Sequence, residues 1–465
     1  MADAPNQRFA QTPFDTIETK IRQRMQEAGI DRLVIDDFIV KAAKVHGGQT
    51  GLVDFANIKN LNESEIINLT SLPVINIDDA KLRPLLEKTV IIKLNGGLGT
   101  SMGLTGPKTL LTVRDGKTFL DIILRQLHIL RKKSGVSIPL LFMNSFSTNE
   151  ATLSYKGIAS TNPDLPVSFL QNKVPRLDAA SLLPIRDGND DDDWCPPGHG
   201  DIFAALQISG LLDRLLSKNI RYAFLSNGDN LGATLDPSIL YHFAQNEFDF
   251  LSEVTPKTQA DIKGGVLFRH SKTNRIELLE TAQVPPENKL DFEDTKRFAD
   301  FNINNLWIDL ESLKARMAEG PLDLSMIVNP KTVDDLSVIQ LECAMGAAIG
   351  QFENTGVVRV GRHRFAPVKN CSDLMVRRSD ACIINDDGAL VLHPDRHGIE
   401  PVVQLDTAYK EIDDFEALVP ITPSLLHAAS FRVKGAIVFD APADIEGNVV
   451  LQNPSPKAIS VTQLE

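Results

Sequence analysis

Apolar side chains recur at helical spacing near the start of the chain, between residues 14 and 46. Ile17, Ile21 and Met25 fall on one face of a helix, and Gly29 interrupts the pattern before a second set begins at Leu33. The spacing therefore predicts two helices, and we expect residues 1–85 to form a helical N-terminal region.

The pattern changes after Thr89, where short β-branched runs alternate with helical segments as far as about Gly361. The helical segments include residues 118–132 and 201–217. Such alternation predicts a parallel or mixed sheet covered by helices. The β-branched runs are VIIKL, IPLLFM, RYAFLS, FDFLSEV and GGVLF. We therefore expect an α/β domain over residues 86–378.

Helical periodicity fades after Arg378. The short pieces ACIIN, ALVLHP, FRVKGAIVF and GNVVLQ recur there between Gly, Pro and Asp residues. They predict a small all-β domain over residues 379–465, with a degenerate repeat of hexapeptide character.

Composition and charge narrow the class of protein. The chain has 465 residues, of which 43% are hydrophobic and 23% charged, as in globular proteins with more than one domain. Its net charge of −13 argues against a nucleic acid or an anionic membrane as partner, because the long-range field repels both. An anionic substrate would then have to meet locally gathered lysines.

Cysteine usage and the amino terminus indicate the compartment. The four cysteines lack CxxC spacing, so they give neither a zinc pattern nor a secreted disulfide framework. The amino terminus has no basic stretch followed by an apolar core, and an apolar run of about 18 residues occurs nowhere. We expect a cytoplasmic protein.

A glycine-rich loop, IIKLNGGLGTSMGLTGPK, occupies residues 91–108 and follows a predicted strand. Glycines at 96, 97 and 99 let backbone N–H groups approach an anion closely, which favours phosphate binding over a simple turn. Two better-known loops do not fit, because Leu104 follows Gly103 where GxxxxGK needs lysine, and Met102 ends a GxGxxG match. The next helix is predicted only near Thr118.

Two further segments could also bind an anion. In WCPPGHGD, Gly198 and Gly200 flank His199 just before a helix whose predicted N-cap is Asp201. In RYAFLSNGDN, an apolar strand delivers Asp229 to its carboxyl end, where ligands bind in open α/β sheets. A carboxylate there suits Mg²⁺, although a turn-forming role explains it as well.

Eight ordered motifs resemble the eukaryotic type of UTP–glucose-1-phosphate uridylyltransferases, also called UDP-glucose pyrophosphorylases. The motifs are KLNGGLGTSMGLTGPK, FLQNK, WCPPGHGD, SNGDNLG, KGGVL, ELLE, FNINNLW and PVK. The resemblance runs from about residue 14 to the end and is strongest between residues 91 and 373. It implies an α/β nucleotide-diphosphosugar transferase fold: a Rossmann-like mixed sheet with helices on both faces, a helical N-terminal region and a C-terminal left-handed β-helix.

The resemblance also implies an Mg²⁺-dependent enzyme that forms UDP-glucose and pyrophosphate from UTP and glucose 1-phosphate. The implied nucleotide-binding residues are Leu94, Asn95, Gly96, Gly97, Lys108, Gln171, Gly198, His199, Asn227 and Asp229. The implied sugar-binding residues are Gly265, Glu280, Asn302 and Asn304. The implied catalytic residues are Lys108, Lys369 and His199, and Asp229 is the implied metal ligand.

Individual roles follow from the same resemblance. Gln171 would read the uracil edge, and Gly198 and His199 would hold the base and the α-phosphate. Lys108 would meet the triphosphate, and Lys369 would close over the phosphates. Related enzymes range from monomers to larger assemblies, so a homo-oligomer formed through the C-terminal domain is also an expectation.

Some positions depart from the family pattern. Cys195 stands where an aromatic residue is common, Thr109 where serine is usual, and Ile303 replaces a hydroxyl residue beside the sugar-binding asparagines. Ile303 leaves open a preference for another sugar 1-phosphate, such as galactose or an N-acetylhexosamine. The hexosamine enzymes carry arginine in the glycine loop, where this chain has Ser101 and Met102, which favours glucose. A non-catalytic nucleotide-sugar binding protein is a further alternative.

The expected chemistry explains why no Ser–His–Asp arrangement is found. A phosphate monoester has its second pKa near ~6, so the nucleophile is already ionised at neutral pH and needs no general base. Catalysis then depends on positioning and on neutralising charge, for which Lys108, Lys369, His199 and Mg²⁺ are the candidates. Lys93, at the strand end, could either reach phosphate or be structural.

Overall fold

The computed structural model describes residues 12–158, 164–186, 191–258 and 261–464. The α-helices are α1 Phe14–Glu27, α2 Arg32–His46, α3 Arg83–Leu86, α4 Phe119–Ser134, α5 Asn149–Leu153, α6 Ile202–Ile208, α7 Leu211–Ser217, α8 Pro237–Gln245, α9 Lys289–Glu293, α10 Leu310–Ala318, α11 Cys371–Arg378 and α12 Ile412–Leu418. The strands are β1 Ile58–Asn60, β2 Ile67–Asn68, β3 Thr89–Asn95, β4 Thr112–Arg114, β5 Lys117–Thr118, β6 Leu140–Asn144, β7 Ser168–Leu170, β8 Val174–Pro175, β9 Leu177–Asp178, β10 Trp194–Cys195, β11 Tyr222–Asn227, β12 Phe250–Pro256, β13 Val266–His270, β14 Ile276–Leu279, β15 Asp300–Asp309, β16 Met326–Val333, β17 Leu336–Cys343, β18 Thr355–Arg359, β19 Cys382–Ile384, β20 Leu390–Leu392, β21 Val402–Gln404, β22 Ala428–Lys434, β23 Ile437–Val438, β24 Gly447–Gln452 and β25 Ile459–Ser460.

Two helices, α1 and α2, occupy the segment where helical spacing predicted them. Gly29 adopts a positive φ of 69° between them, and the Asp31 carboxylate caps α2 by accepting a hydrogen bond from Leu33 N at 2.8 Å. The stretch that follows α2 is different from the predicted helical region, because it contributes strands. β1 pairs with β13, and β2 pairs with β18 at the edge of the largest sheet.

The largest sheet is mixed and has eight strands in the order β2-β18-β12-β15-β11-β3-β6-β7. β11, β3, β6 and β7 run parallel, whereas β15 is antiparallel to both of its neighbours. The register pairs Asn227 with Leu94 and Asn95 with Asn144. The carboxyl ends of β11, β3 and β6 therefore meet at one edge of the sheet, where a ligand site is expected.

Helices cover both faces of this sheet. Alternate residues of β3 explain the arrangement, because successive side chains of a strand point to opposite faces. Val90 and Ile92 pack with the apolar side chains of α6, α7 and α10, and Ile91 packs with those of α8. Leu94 shares the face of Ile92, so Lys93 lies on the opposite face.

The predicted helical segments differ in how well they match. α4 is confirmed: Thr118 is its N-cap and forms a capping box with Asp121. Residues 201–217, predicted as one helix, form the two helices α6 and α7 instead. Gly210, with a φ of 69°, interrupts them.

The C-terminal region carries parallel strand pairs. β22 pairs with β21 and β24, and β23 pairs with β25. Phe431 and Phe439 are buried in its core with Phe415 of α12. The helix α12 lies between β21 and β22 in the chain, so the prediction of an all-β tail was wrong on this point.

Among the described helices, none has both the length and the apolar character that crossing a bilayer requires.

Candidate active site

A cavity of about 350 Å³ opens at the carboxyl ends of β3, β6 and β11. Its lining residues are Leu94, Asn95, Gly96, Gly97, Lys108, Thr109, Met143, Gln171, Pro196, Gly198, His199, Asn227, Asp229, Gln340 and Glu342. Every residue predicted to bind nucleotide is therefore in this wall. The fold brings them together from segments that are far apart in the chain.

Hydrogen bonds fix the backbone at the end of β3, where the glycine loop begins. Thr148 Oγ1 donates a hydrogen bond to Asn95 O at 2.8 Å, and Gly228 N donates to Leu94 O at 2.8 Å. A Cβ atom on Gly96 would lie 2.6 Å from Oε1 of Gln171, so a larger residue there would displace the Gln171 amide. The loop backbone and the Gln171 amide therefore lie against each other in the cavity wall.

The second loop, residues 196–201, is held to the same wall. Gln171 Nε2 donates to Gly198 O at 2.7 Å, and Cys343 N donates to Pro197 O at 2.9 Å. Asp201 precedes α6 as predicted, but its carboxylate does not cap the helix. It accepts from Asn172 N at 2.7 Å instead, which ties the loop to the segment after β7.

Gly198 gives a first testable prediction. Its φ is 83°, and a Cβ atom would lie 2.3 Å from Cys343 O, so Gly198→Ala should move the loop or strain it. We expect a loss of about 1–3 kcal/mol of stability together with a raised KM for the nucleotide. Thermal denaturation and steady-state kinetics measure the two effects. Gly210→Ala is the control, because it shares a positive φ but has open space around the added methyl group; equal effects in both variants would contradict the steric argument.

His199 is a neutral hydrogen-bond donor in this structure. Met345 N donates to its Nδ1 at 3.0 Å, so the ring hydrogen sits on Nε2. Burial lowers the pKa of His199 to about 4. Burial therefore favours the neutral imidazole in the free protein, and its Nε2–H is the group that could donate a hydrogen bond to phosphate.

Lys108 and Asp229 form an ion pair inside the cavity. Lys108 Nζ lies 2.9 Å from Asp229 Oδ2, and both side chains are partly buried. Lys108 is the one lysine or arginine that the structure describes in the cavity wall, which also carries the carboxylates of Asp229 and Glu342. The acidic net charge of the chain led us to expect several lysines around an anionic substrate, but the described cavity wall contains only Lys108.

The other two lysines lie elsewhere. Lys93 is buried on the opposite face of the sheet, where Nζ donates to Ser226 Oγ at 2.8 Å and to Ala233 O at 2.7 Å. Burial lowers its pKa to about 7, and the structural role is the one that this contact set supports. Lys369 is exposed, outside the cavity wall, with Nζ 5.7 Å from the ring centre of Phe365. Its backbone still borders the glycine loop, because Ser101 Oγ donates to Lys369 O at 3.2 Å.

The residues predicted to bind the sugar lie together. Asn302 N donates to Gly265 O at 2.8 Å, and Asn302 Nδ2 donates to Asn304 Oδ1 at 3.0 Å. A Cβ atom on Gly265 would lie 2.7 Å from the Glu280 carboxylate. We call these four residues the sugar cluster. Gly346 connects the sugar cluster to the cavity. A Cβ atom on Gly346 would lie 2.9 Å from Asn302 Nδ2, and the preceding residue, Met345, donates a hydrogen bond to His199 in the cavity wall.

Ile303 does not belong to the sugar cluster. Its side chain is 1% exposed and packs with Ile91 and Trp307 in the core on the face of α8. The departure from the family pattern at this position therefore places no side chain beside the asparagines.

Five residues of the cavity wall were not predicted from the sequence to contact a ligand. These are Thr109, Met143, Pro196, Gln340 and Glu342. With its side-chain amide assigned in the orientation that satisfies both atoms, Gln340 donates to Glu342 Oε1 at 3.1 Å and accepts from Arg176 Nε at 2.9 Å. Both Gln340 and Glu342 come from β17, and the alternation of polar residues in LSVIQLEC was the signal that could have found them.

The donor set limits the kind of metal site. Within the described ranges, no three His, Cys, Asp or Glu side chains converge as metal ligands would. The Asp229 carboxylate stands at the end of β11 in the cavity wall. A single carboxylate fits Mg²⁺, which often takes one or two protein oxygens and completes its shell with water and substrate phosphate.

The chain is similar to known proteins over most of its length. Residues 36–445 match the family model described as UTP–glucose-1-phosphate uridylyltransferase. The chain is 39% identical over 418 residues to the UTP–glucose-1-phosphate uridylyltransferase of Solanum tuberosum, covering 89% of this chain and 87% of that protein. A crystal structure of UDP-glucose phosphorylase from Trypanosoma brucei superposes with a TM-score of 0.88 at 39% identity, covering 96% of this chain and 97% of that one. A second crystal structure, of a mutant UDP-glucose pyrophosphorylase from Leishmania major in complex with UDP-glucose, superposes with a TM-score of 0.87 at 39% identity over 96% of each chain.

Proposed function

Because the chain belongs to the UTP–glucose-1-phosphate uridylyltransferase family, we propose that the cavity binds UTP and that the sugar cluster binds glucose 1-phosphate. The enzyme forms UDP-glucose and releases pyrophosphate. The observation that carries the assignment of the site is the shared wall of the glycine loop, Gln171, His199 and the Lys108–Asp229 pair at the carboxyl ends of the parallel strands.

The reaction is an in-line displacement at the α-phosphorus of UTP. A phosphate oxygen of glucose 1-phosphate attacks, the bond from the α-phosphorus to the bridging oxygen breaks, and pyrophosphate leaves on the opposite side. The chain needs only to bring two anions together and to stabilise the charge. Lys108 and the Nε2–H of His199 are the groups in the cavity that would do so, and Lys369, which borders the glycine loop, is the further cation proposed to meet the phosphates.

Base recognition follows from the geometry of Gln171. Its Nε2 is already bonded to Gly198 O, so Oε1 remains to accept a hydrogen bond from the uracil ring. The backbone of Gly96 lies against this oxygen, and Cys343 N holds the neighbouring loop through Pro197 O. The wall therefore presents one fixed acceptor and nearby backbone donors to a planar base.

Mg²⁺ is the proposed cofactor, and Asp229 is the residue that would hold it. The cation would supply positive charge to the phosphate oxygens of UTP. In the free protein Lys108 neutralises the same carboxylate. If Asp229 held the cation, the Lys108 ammonium would be available to donate hydrogen bonds to phosphate.

The identity of the sugar defines the test of function, because one hydroxyl's orientation distinguishes the competing substrates. Pyrophosphate release from UTP is measured with glucose 1-phosphate, galactose 1-phosphate and N-acetylglucosamine 1-phosphate in turn. We expect release with glucose 1-phosphate as the preferred substrate. Preference for another sugar phosphate would support the alternative specificity, and binding without any release would support a non-catalytic nucleotide-sugar protein.

Glu280 gives a prediction on the sugar side. Burial raises its pKa, and its carboxylate lies against Gly265, where it can accept hydrogen bonds from sugar hydroxyls. We expect Glu280→Gln to lower kcat/KM for glucose 1-phosphate about 10–100-fold and to leave the KM for UTP unchanged. Glu277→Gln, on β14 and outside the sugar cluster, is the control. An equal loss of affinity for UTP would contradict the role.

Several finer features complete the proposal. The domains span residues 1–85, 86–378 and 379–465, with a left-handed β-helix in the last. The parallel pairing of β21 with β22 and of β22 with β24 supports the coiled architecture. The exposed edge strand β24 supports association of copies through this domain. The four cysteines are buried free thiols, which supports a reducing cytoplasm.

A further inference from the structure

An ion pair joins the sugar side of the site to the segment that carries Lys369. Arg362 Nη2 lies 2.8 Å from Asp261 Oδ2. The Asp261 side chain is 6% exposed and that of Arg362 is 25% exposed, so solvent screens this contact less than it screens a surface pair.

Asp261 organises the backbone that leads into the sugar cluster. Thr258 Oγ1 donates to its carboxylate at 2.8 Å, and Gly264 N donates to Asp261 O at 2.8 Å. Gly264 packs on Phe301, since a Cβ atom there would lie 2.6 Å from the ring. The next residue, Gly265, accepts the hydrogen bond from Asn302. A displacement of Asp261 would therefore be transmitted to the sugar cluster.

Arg362 belongs to the segment that ends at Lys369. Its guanidinium carbon lies 5.6 Å from the ring centre of Phe301 and 5.5 Å from that of Phe365. Lys369 Nζ lies against the same Phe365 ring, at 5.7 Å. One aromatic side chain therefore contacts both Arg362 and the lysine that must reach the phosphates.

The segment is also anchored next to Asp229. Arg364 Nε donates to Glu253 Oε2 at 2.7 Å, and Ala366 N donates to Asn230 Oδ1 at 2.9 Å. These contacts fix the middle of the segment to the centre of β12 and to the turn after β11. Arg362 and Lys369 lie on either side of the anchor, so movement of Arg362 has a short path to Lys369 through Phe365.

Arg362 keeps one donor unused. Its Nη1 is buried and has no hydrogen-bond partner among the described residues. A buried donor without a partner costs stability, and such groups in native structures call for an explanation. A hydrogen bond that Arg362 Nη1 forms only when substrate is bound would explain why this donor has no partner here.

We propose that Arg362 and Asp261 are positioning residues that couple binding of the sugar 1-phosphate to the placement of Lys369. The inference rests on the proposed function. When the sugar phosphate binds, it fixes residues 261–265 through the sugar cluster. The Arg362–Asp261 ion pair then fixes the segment that carries Lys369. The pair acts through other groups and does not contact the reacting atoms.

Kinetics of Arg362→Gln, Asp261→Asn and the double variant test the proposal. We expect each single change to raise the KM for glucose 1-phosphate and lower kcat, about tenfold each, because small errors in positioning are costly. The KM for UTP should stay within about twofold, and the double variant should be no worse than the worse single variant. Arg362→Lys should recover part of the activity, which separates a positioning charge from a folding defect.

The coupling to Lys369 is tested directly by adding Arg362→Gln to Lys369→Ala. We expect no further loss of kcat in the combined variant, because the residue that Arg362 positions is already absent. Losses that multiply would overturn the proposal, and so would a parallel rise in the KM for UTP.

Arg221→Gln is the matched control. Arg221 also pairs with a buried aspartate, Asp309, at 2.6 Å, but at the amino end of β11, whereas the cavity lies at the carboxyl end of that strand. Its kinetics should match those of the wild type; an Arg362→Gln variant indistinguishable from it would overturn the proposal. If the wild type itself released no pyrophosphate, the proposed function would fail first, and the two failures are thus distinguishable.

Discussion

Lys108→Ala is expected to lower kcat by ~10²–10³ and to leave the fold intact, the magnitude seen for other preorganised electrostatic groups. Lys108 is the cation that the described cavity wall supplies, and it lies 2.9 Å from the carboxylate proposed to hold the metal. Two highly charged substrates must approach each other there, so removal of this ammonium raises the energy of the transition state. Steady-state kinetics with saturating UTP and glucose 1-phosphate measure the change.

The chain offers a matched control for this variant. Lys218 Nζ lies 2.9 Å from Asp164 Oδ2, the same separation as in the cavity, but this pair is on the surface. Lys218→Ala should leave kcat unchanged, since surface pairs contribute little. Lys369→Ala is expected to fall in the same range as Lys108→Ala. Near-normal turnover in both Lys108→Ala and Lys369→Ala would contradict the proposal that these two lysines contact the substrate phosphates.

The sequence predicted the location of the site well because strong local signals mark it. The glycines after β3 and the polar residues after β11 each end an apolar strand, and parallel strands bring such ends to one edge. The family motifs supplied Gln171 and His199, and the structure places both in the same wall. The specific roles of these residues stay predictions.

Charge states were less predictable from sequence than positions. The motif names His199 as a phosphate contact but does not give its charge, whereas burial and the hydrogen bond from Met345 favour the neutral ring in the free protein. Lys93 and Leu94 are adjacent in sequence, but successive side chains of a strand point to opposite faces. Lys93 therefore lies in the core, and Leu94 lines the cavity. The environment that decides charge is built from residues far away in the chain.

Contacts from distant strands were the part that sequence patterns did not show. Gln340 and Glu342 reach the cavity because the end of β17 is bonded to the loop at Pro197. That pairing depends on tertiary structure: the polar alternation of β17 shows that Gln340 and Glu342 share one face, but it does not show which site that face meets. The Arg362–Asp261 pair is likewise visible only once the sheet has brought two distant parts of the chain together.

Asp229→Ala is expected to remove nearly all activity, by at least ~10²–10³ in kcat. The change removes the carboxylate proposed as metal ligand and leaves Lys108 without its partner in the free protein. Because the variant lacks the carboxylate proposed to hold the cation at the end of β11, added Mg²⁺ should rescue it only poorly. Titration of kcat with Mg²⁺ in the wild type and in the variant measures this.

Asp164→Ala separates loss of the metal ligand from loss of an ion pair. It breaks the surface pair with Lys218, which has the same 2.9 Å separation, and should keep wild-type activity and the wild-type response to Mg²⁺. Chelation supplies the second arm, since excess EDTA should abolish activity of the wild type and Mg²⁺ should restore it. Full wild-type activity in excess EDTA would rule out the metal role, and Asp229 would then serve only to hold Lys108 in place until substrate arrives.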